Sequence, residues 1–328
     1  MRDRLYQQMA NVATSLKKLD HCAVQTQQST ALKTKFFRQF NFDKKPVGQA
    51  KYTMPLCHFD SYNLWMLKPT HLNRGRGIHV FRDLDSLYKL IKQYCSGREI
   101  PETKKAKEAA PDEGKEREGG EGTPAPVKKQ ANRVKFNTFI IQKYIERPLL
   151  IHKRKFDIRV WVLLSQEADV FFFEEGYLRT SGSEFCVNLK NVDDAFVHLT
   201  NNAVQKKSET YGAFEDGNQL NFAQFQDYID LHYPGAGVSV KGDLVPQMKE
   251  IVVKTFNAVR KQLDPAKRKH TFELFGYDFI LDEDFNQWLI EVNTNPCLEE
   301  SSQLLKTLLP RMVEDMLKLT VDHLFPKS

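Results

Sequence analysis

Two carboxylates and an amide near the end of the chain have the residue types and spacing of a metal site. They lie in FELFGYDFILDEDFNQWLIEVNTNP, residues 272–296, where alternating apolar runs at Phe275–Leu281 and Trp288–Asn293 flank a short acidic turn. Alternation on both sides of a turn predicts an antiparallel β-hairpin. A four-residue loop at its tip would place Asp278 directly opposite Glu291.

The same pairing assigns the other side chains of the hairpin to two faces. Asp282 would face Gln287, and Asn293 would share the face of Glu291 because side chains alternate along a strand. The opposite face would carry an apolar surface for a core, formed by Phe279, Leu281, Trp288, Ile290 and Val292.

The polar face of the hairpin favours a hard cation. Two carboxylates directly across a ladder repel each other, and a cation between Asp278 and Glu291 would relieve that repulsion. Oxygen ligands from these residues and Asn293, with no cysteine or histidine among them, suit Mg²⁺ that carries a nucleotide phosphate. On this stretch alone, a solvated acidic hairpin explains the pattern equally well.

A lysine and a glycine-containing loop earlier in the chain could bind phosphate. Lys68 follows the apolar segment YNLWML and precedes the loop THLNRGRG, which contains Gly75 and Gly77. Glycines let backbone N–H groups approach phosphate oxygens closely, and a lysine adds a positive charge. The order differs from that of a Walker loop, and an ordinary hairpin beside cationic residues is the alternative.

The segment FIIQKYIERP could contact a nucleobase. It places four residues at the end of a strand, before a proline-containing turn: Gln142, Lys143, Tyr144 and Ile145. A strand that leaves between two lobes can offer backbone N–H and C=O groups to an adenine edge. An ordinary core strand with alternating exposure is the alternative.

The segment KFDIRVW separates charged from apolar residues on one strand. Lys155, Asp157 and Arg159 would share a face, opposite Phe156, Ile158 and Val160. The charged face could be a surface salt-bridge ladder, or it could supply two cations and a carboxylate to a polyphosphate. Further polar groups are expected at strand ends: Arg179, His198, Thr200 and Asn201.

The composition indicates a globular protein with reduced cysteines. Of 328 residues, 41% are hydrophobic and 11% aromatic, enough for one large core or two to three small ones. The apolar runs are too short to cross a bilayer. Five cysteines without a CxxC pair argue against a disulfide framework and a zinc site. The net charge of +6 is modest, and without a nucleic-acid-binding motif we expect no nucleic-acid partner.

Changes in composition and patterning along the sequence predict three parts. Residues 1–60 would form a short N-terminal segment, and residues 61–150 a first lobe. That lobe is interrupted at 97–133 by an insertion rich in Lys, Glu, Gly and Pro, which we expect to be disordered because it cannot bury enough apolar surface. Residues 151–328 would form a second lobe that carries the hairpin and a helical tail interrupted at Pro310.

Shorter features add detail to the two lobes. Asp83 is expected to cap a helix over DLDSLYKLIKQY, and residues 219–232 and 242–263 are predicted to be helical. ADVFFFEEGYLRTS is predicted to form a strand and a turn that leads into another strand.

The order of these motifs resembles the tubulin–tyrosine ligase-like family of ATP-grasp amino-acid ligases. The match covers residues 64–296 outside the insertion, and it is carried by KPTHLNRGRGI, QKYIERP, KFDIR, HLTNNAVQK and FELFGYDF…WLIEVN. The resemblance implies an α/β (α+β) architecture, an ATP-grasp fold in which the nucleotide is held between two lobes.

The resemblance also implies a role for each motif residue. The residues expected to bind ATP are Lys68, Arg74, Gly75, Gln142, Lys143, Tyr144, Ile145, Lys155, Asp157, Thr200 and Asn201. The residues expected to act in catalysis are Lys68, Arg159, which would reach the terminal phosphate, and Arg179, which would meet the amino-acid or acceptor carboxylate. The expected Mg²⁺ ligands are Asp278, Glu291 and Asn293.

The implied chemistry is an amide ligation that consumes ATP and requires Mg²⁺. An acceptor carboxylate would attack the γ-phosphate to give an acyl phosphate, and the amine of an amino acid would then displace phosphate. The implied partners are a free amino acid and the acidic C-terminal tail of tubulin, which would suit the basic run at 152–155. The implied location is the cytoplasm and cytoskeleton, including cilia or flagella, and we expect a monomer without membrane insertion.

The stretch after HLTN bears on the donor amino acid. KKSETYGAFEDGNQLNF begins with Lys206 and Lys207 and then carries Glu215, Asp216, Asn218 and Gln219 at the expected donor end. Carboxylates there would repel the side chain of a donor glutamate. A neutral donor, tyrosine or glycine, is therefore ranked ahead of glutamate, although Lys306 in the tail could supply a cation.

Two other functions stay open on the sequence. One is a catalytically silent nucleotide- or microtubule-binding module, and the other is a ligase for a small molecule or a protein other than tubulin. Competent residues at every mapped phosphate and magnesium position favour an active ligase. The segment before Lys68 is shorter than the N-terminal lobe usual in the family, which makes the chain a trimmed fragment or a compact member and weakens the case for tubulin docking.

Overall fold

A computed structural model describes most of the chain from residue 62 onward. The described residues are 62–70, 72, 75–96, 138–187, 194–263, 266 and 268–325. The predicted N-terminal segment at 1–60, the predicted insertion at 97–133 and Arg74 lie outside the described residues. Within the described ranges, no helix has both the length and the apolar character needed to cross a membrane.

The first sheet has three antiparallel strands. β1 (Trp65–Pro69) lies between β2 (His79–Phe81) and β3 (Phe139–Lys143). As predicted, Asp83 caps α1 (Leu84–Cys95) by accepting a hydrogen bond from a backbone N–H of the first helical turn. The helix and the sheet enclose a small core of Leu67, Phe81, Leu87 and Tyr94.

The second sheet has six strands, and β5 lies at its centre. The strands are β4 (Leu150–Ile151), β5 (Arg154–Leu164), β6 (Val170–Glu184), β7 (Gln219–Asn221), β8 (Glu273–Leu281) and β9 (Gln287–Asn293). Their order is β7-β6-β5-β8-β9, and β4 pairs with β5. All the pairings are antiparallel.

The strand β6 runs without a break where we predicted a strand, a turn and another strand. Within this segment, Gly176 lies beside a register shift in the pairing with β5. A Cβ at this position would lie 2.6 Å from the carbonyl oxygen of Arg159. Gly176 is therefore needed for the close approach of two strands, a role that glycine has inside sheets as well as in turns.

Helices cover both faces of the second sheet. They are α2 (Ala195–His198), α3 (Asn202–Gln205), α4 (Phe222–His232), α5 (Val245–Leu263), which follows a π-helical turn at Val240–Leu244, and α6 (Gln303–Leu324). The main core lies under α4 and α5 and includes Phe156, Ile158, Val160, Phe225, Met248, Val252, Phe275 and Phe279. A second core lies under α6 and includes Trp161, Tyr177, Leu305, Leu308, Leu309 and Met312.

The helical predictions were right in outline and wrong in two details. The first three residues predicted as helix at 219–232 form β7 instead. The C-terminal helix α6 continues through Pro310, where an interruption was predicted. Leu308, Leu309 and Met312 are buried against the sheet, so packing on both sides of the proline offsets the backbone hydrogen bond that proline cannot make.

The hairpin of β8 and β9 pairs Asp278 with Glu291 as predicted, but through a different register. Leu281 pairs with Gln287, so Asp282 belongs to the turn and does not face Gln287. The Asp282 carboxylate accepts the backbone N–H groups of the third and fifth turn residues, at 3.0 and 2.9 Å, which favours the longer turn. A β-bulge at Ile290 then adds one residue to β9 and restores the Asp278–Glu291 pair.

The longer turn also places Trp288 on the opposite face of the hairpin from the one predicted. Trp288 pairs with Ile280 and lines a cavity with it, where we predicted that Trp288 packs in the core. Its indole N–H donates to the Asp282 carboxylate at 3.0 Å. Leu289 packs against the main core in its place.

Candidate active site

A cleft with a volume of about 1460 Å³ is lined by residues of both sheets. All predicted site residues that the structure describes lie along it: Lys68, Gly75, Gln142, Lys143, Tyr144, Ile145, Lys155, Asp157, Arg159, Arg179, Thr200, Asn201, Asp278, Glu291 and Asn293. The structure thus brings these residues together, and their individual roles remain predictions.

A buried network of four charges lies in the cleft. The Arg159 guanidinium donates to both carboxylate oxygens of Asp278, with 2.9 Å between Nη2 and Oδ2. Arg179 binds Asp157, with 3.1 Å between Nε and Oδ1, and its Nη2 lies 2.9 Å from Oδ2 of Asp278. Burial raises the pKa of Asp278, but Arg179 and Arg159 outweigh it and lower that pKa to about 2.

This network corrects two expectations. The alternating charges of β5 do not form a surface ladder, because Lys155, Asp157 and Arg159 are all buried. Arg179 lies within β6, directly across from Asp157, and not at a strand end. Thr200 likewise follows the short helix α2 and not a strand.

The ammonium of Lys155 lies among neutral oxygen atoms. It donates to the hydroxyl of Tyr144 at 3.2 Å and to the carbonyl oxygen of His198 at 2.9 Å. Burial lowers the pKa of Lys155 to about 7; Asp157 raises it in part, and Lys68 lowers it further. The cleft therefore holds a lysine whose charge changes near neutral pH.

The segment after β3 is held against the start of β1 by Glu146, a residue that sequence reasoning missed. The buried Glu146 carboxylate accepts the backbone N–H groups of Tyr62 and Leu64, both at 2.6 Å, and the ammonium of Lys143 at 2.5 Å. The N–H of Tyr144 donates to the Leu64 carbonyl at 3.1 Å. That N–H is therefore already used within the protein.

The glycine loop after β1 is fixed by Tyr94, a second residue that sequence reasoning missed. Gly75 and Gly77 both have left-handed backbones, with φ of 73° and 71°. The hydroxyl of Tyr94 donates to the Gly77 carbonyl oxygen at 2.8 Å. Burial lowers the pKa of the neighbouring Lys68, whereas Glu291 and Asp278 raise it, so this lysine faces both carboxylates of the hairpin.

The hairpin brings together the oxygen-bearing side chains that are predicted to bind Mg²⁺. The side-chain amide nitrogen of Asn293 lies 3.3 Å from Oδ2 of Asp278 and 3.2 Å from Oε1 of Glu291. N–H donors therefore occupy the space between the two carboxylates, which is where a cation would reduce their repulsion. Because both oxygens of Asp278 are engaged by arginines, Glu291 and Asn293 are the more accessible of the predicted ligands. Among the described residues, no group of three or more His, Cys, Asp or Glu could hold a metal ion.

One end of the cleft is closed by a different set of charges from the one predicted. Lys206 lines it and pairs with Glu299 at 2.7 Å. Glu215 instead binds the guanidinium of the buried Arg154, at 2.9 Å between Oε2 and Nη1. Asp216 accepts the first backbone N–H of α6 at 2.7 Å. Neither carboxylate lines the cleft, so the predicted repulsion of a donor glutamate by these two residues was wrong.

The basic run at 152–155 does not form a surface patch. Arg154 is 1% exposed and Lys155 is 7% exposed, and both point into the protein from β5. His152 and Lys153 are exposed, in a turn where both have left-handed backbones. This run is therefore not available as a whole to an acidic peptide.

Replacing Gly276 with alanine is expected to disturb the floor of the cleft. The added Cβ would lie 2.8 Å from Cβ of Pro296 and 3.4 Å from the guanidinium carbon of Arg159. We expect a lower melting temperature, equivalent to about 1–3 kcal/mol of unfolding free energy. The matched control is Gly235→Ala, where a Cβ would meet nothing within 4 Å. Equal melting temperatures for the two variants would contradict the close packing at Gly276.

The fold and the cleft define a mixed α/β protein whose two antiparallel sheets enclose a cavity rich in buried charge. Comparison with known families assigns the chain more closely. The family described as "Tubulin-tyrosine ligase family" matches this chain over residues 1–328. The chain belongs to that family.

Curated relatives are tubulin-modifying ligases. The chain is 30% identical over 313 residues to tubulin glycylase 3B of Tetrahymena thermophila, covering 92% of this chain and 23% of that protein. It is 33% identical over 258 residues to the probable tubulin polyglutamylase TTLL9 of Bos taurus, covering 78% and 53%. It is 30% identical over 274 residues to tubulin monoglycylase TTLL3 of Homo sapiens, covering 81% and 30%. The chain thus spans about a quarter to a half of these relatives.

Proposed function

We propose that the chain is an ATP- and Mg²⁺-dependent ligase that joins an amino acid to a carboxylate on the C-terminal tail of tubulin. The observation that carries the proposal is that four cationic side chains line the same cleft as the Asp278–Glu291 pair. Those side chains are Lys68, Lys155, Arg159 and Arg179. Family membership and the names of the relatives supply the substrate class.

The proposed architecture is an ATP-grasp fold with the nucleotide between two lobes. Residues 61–150 would form the first lobe around β1 to β3, and residues 151–328 the second around β5 to β9. ATP would lie between β1 and the β8–β9 hairpin, because Lys68 and Glu291 face each other across the cleft. The proposed place of action is the cytoskeleton, where tubulin tails are found.

The proposed chemistry has two steps. An oxygen of the acceptor carboxylate forms a bond to the γ-phosphorus while the bond to the leaving ADP breaks. The amine of the donor then attacks the acyl carbon, phosphate leaves, and the amine loses a proton. Bound Mg²⁺ would supply neutralisation of phosphate charge.

The residues of the cleft would bind and orient the reactants. Lys68 and Lys155 would hold phosphate oxygens, and Arg159 would stabilise charge on the phosphoryl group as it transfers. Arg179 would orient a carboxylate of a substrate. The ion pairs of both arginines with Asp278 fix their side chains in advance, which favours catalysis by positioning.

Incubation of the protein with tubulin, Mg-ATP and one labelled amino acid at a time tests the proposal. Incorporation that requires ATP and is absent with tubulin lacking its tails is the expected result. Folded protein that binds Mg-ATP but incorporates nothing would favour the silent module. Incorporation into another protein but not into tubulin would favour a ligase whose substrate is a protein other than tubulin.

The charges at the end of the cleft support a neutral donor. Glu299 already compensates Lys206, so a donor glutamate would have to displace it, whereas glycine or tyrosine would not. The Lys206–Glu299 pair, and not Glu215 and Asp216, is therefore the basis for proposing a neutral donor.

Replacing Glu299 with glutamine is expected to shift donor preference towards glutamate. The substitution leaves Lys206 free to pair with the side chain of a donor, and a charge pair of this kind typically changes affinity by about fivefold or more. The measurement is competitive incorporation of labelled glutamate and glycine, with Glu300→Gln, the adjacent exposed carboxylate, as matched control. A clear preference of the unmodified protein for glutamate would refute the neutral donor.

A further inference from the structure

His198 is a buried histidine of the HLTNNA segment to which the proposed chemistry gives no role. It is 4% exposed and ends α2. Its Nδ1 lies 2.8 Å from the hydroxyl oxygen of Tyr144, and its carbonyl oxygen accepts the Lys155 ammonium at 2.9 Å. Side chain and backbone of one residue thus contact both partners of a three-residue network.

The polarity of this network follows from its donors. The Lys155 ammonium has only hydrogens to give, so the Tyr144 oxygen accepts from it at 3.2 Å. The Tyr144 hydroxyl then directs its own hydrogen to Nδ1 of His198, which leaves the imidazole hydrogen on Nε2. Each donor in such a chain strengthens the next.

The Lys155 ammonium has no carboxylate within ion-pair distance among the described residues. Its neighbours are oxygen atoms of Tyr144 and His198 and the ring of Tyr144, whose centroid is 4.5 Å from Nζ. The nearest acid on its own strand, Asp157, is bound by Arg179. Burying a cation without a partner is costly, so this site favours an anion.

We propose that His198 is a positioning residue, which fixes the position of the Lys155 ammonium through the Tyr144 hydroxyl. We also propose that the anionic ligand of the cleft becomes the counter-ion of Lys155. The proposal rests on the nucleotide binding proposed above. It adds that binding is coupled to the uptake of a proton by Lys155.

The charged and titratable groups around Lys155 define the sign of this coupling. Lys68 on β1 opposes its protonation and Asp157 on β5 favours it, while its hydrogen-bond partners are the Tyr144 hydroxyl and the His198 carbonyl oxygen. An arriving phosphate favours the charged form. Because the pKa of Lys155 is lowered to about 7, binding should take up a larger fraction of a proton at pH 7.5 than at pH 6.

Calorimetry of Mg-ATP binding in buffers of different ionisation enthalpy measures the uptake. We expect the uptake in the unmodified protein at pH 7.5, its decline at pH 6, and none in Lys155→Met. Absence of uptake in a protein that binds Mg-ATP would overturn the counter-ion role. Absence of any binding would instead overturn the proposed function.

A double-mutant cycle tests the positioning role. Tyr144→Phe and His198→Leu should each weaken Mg-ATP binding about tenfold, because each removes a hydrogen bond that supports a charged group. The double variant should bind no worse than Tyr144→Phe, since His198 acts through that hydroxyl. His198→Asn, which retains an acceptor, should recover most of the affinity.

The matched control for these variants is Tyr277→Phe. Its hydroxyl is 2.8 Å from the Thr255 hydroxyl and lies outside the cleft, so the change should leave Mg-ATP affinity unaltered. A double variant weakened about a hundredfold, as independent losses would predict, or equal weakening by Asn and Leu at position 198, would overturn the positioning role.

Discussion

Glu291→Gln is expected to abolish ligation without unfolding the protein. Glu291 lies directly opposite Asp278 across the β8–β9 hairpin. Removing its charge relieves repulsion between carboxylates but also removes a neighbouring negative charge from Lys68, so the melting temperature should change little. The same change removes the more accessible of the two charged oxygen ligands proposed for Mg²⁺. We expect kcat/KM for Mg-ATP to fall by about two orders of magnitude or more, as when a group that stabilises transferring charge is lost.

The control for this variant is Glu283→Gln on the turn of the same hairpin. Glu283 forms an exposed ion pair with Arg147 at 3.0 Å, and surface pairs of this kind contribute little. Its kcat/KM should match that of the unmodified protein. Near-normal turnover of Glu291→Gln at saturating Mg-ATP would remove the basis for a metal site on this hairpin.

Asp278→Asn is expected to lower the unfolding free energy by about 3–5 kcal/mol at pH 7. The carboxylate is 1% exposed and compensates both Arg159 and Arg179. Asparagine keeps the size of the side chain but leaves two buried guanidinium groups with one carboxylate, Asp157. Urea unfolding measures the difference, with Asp230→Asn as control, because Asp230 is exposed and accepts a hydrogen bond from Gln226 in the same helix.

The pH dependence of unfolding provides a second check on Asp278. Its pKa in the folded protein is about 2, below the value of about 3.9 in an unfolded chain. The stabilisation is therefore fully present above about pH 5 and is lost as the pH falls through 2. The unmodified protein should lose its advantage over Asp278→Asn in this window. A constant difference between pH 7 and pH 2 would contradict the ion pairs.

The features that alternation alone specifies could be predicted from the sequence. Period-two patterning predicted the faces of β5 correctly. Phe156, Ile158 and Val160 lie on the face that packs in the main core, and Lys155, Asp157 and Arg159 lie on the opposite face, which lines the cleft. Motif order then identified the family, and with it the residues that converge on the cleft.

The register of the hairpin shows why the rest could not be predicted. The turn is one residue longer than expected, and a bulge at Ile290 adds one residue to β9. The two changes cancel at Asp278 and Glu291 but not between them, so Trp288 faces the cleft. Neither the Asp282 bonds that shape the turn nor the bulge has a signal in the alternation of apolar residues.

Contacts between distant elements were also beyond the sequence. Glu146 binds backbone groups at the start of β1, Tyr94 binds the glycine loop, and Arg154 binds Glu215. The partners are separated by 17 to 84 residues along the sequence. A linear motif does not show whether a charged residue will be buried against a partner from a distant part of the chain. This is why the basic run at 152–155 was assigned to the surface.

The junction between α1 and β3 has a consequence for how the chain can change length. The rings of Tyr94 and Phe139 meet with centroids 5.5 Å apart, and the N–H of Thr70 donates to the Thr138 carbonyl at 3.2 Å. The native fold therefore holds the two ends of this connection together whatever lies between them. Doubling the length of a flexible connection adds only about 0.6 kcal/mol of closure entropy, so shortening the connection between these two ends is expected to leave the melting temperature nearly unchanged.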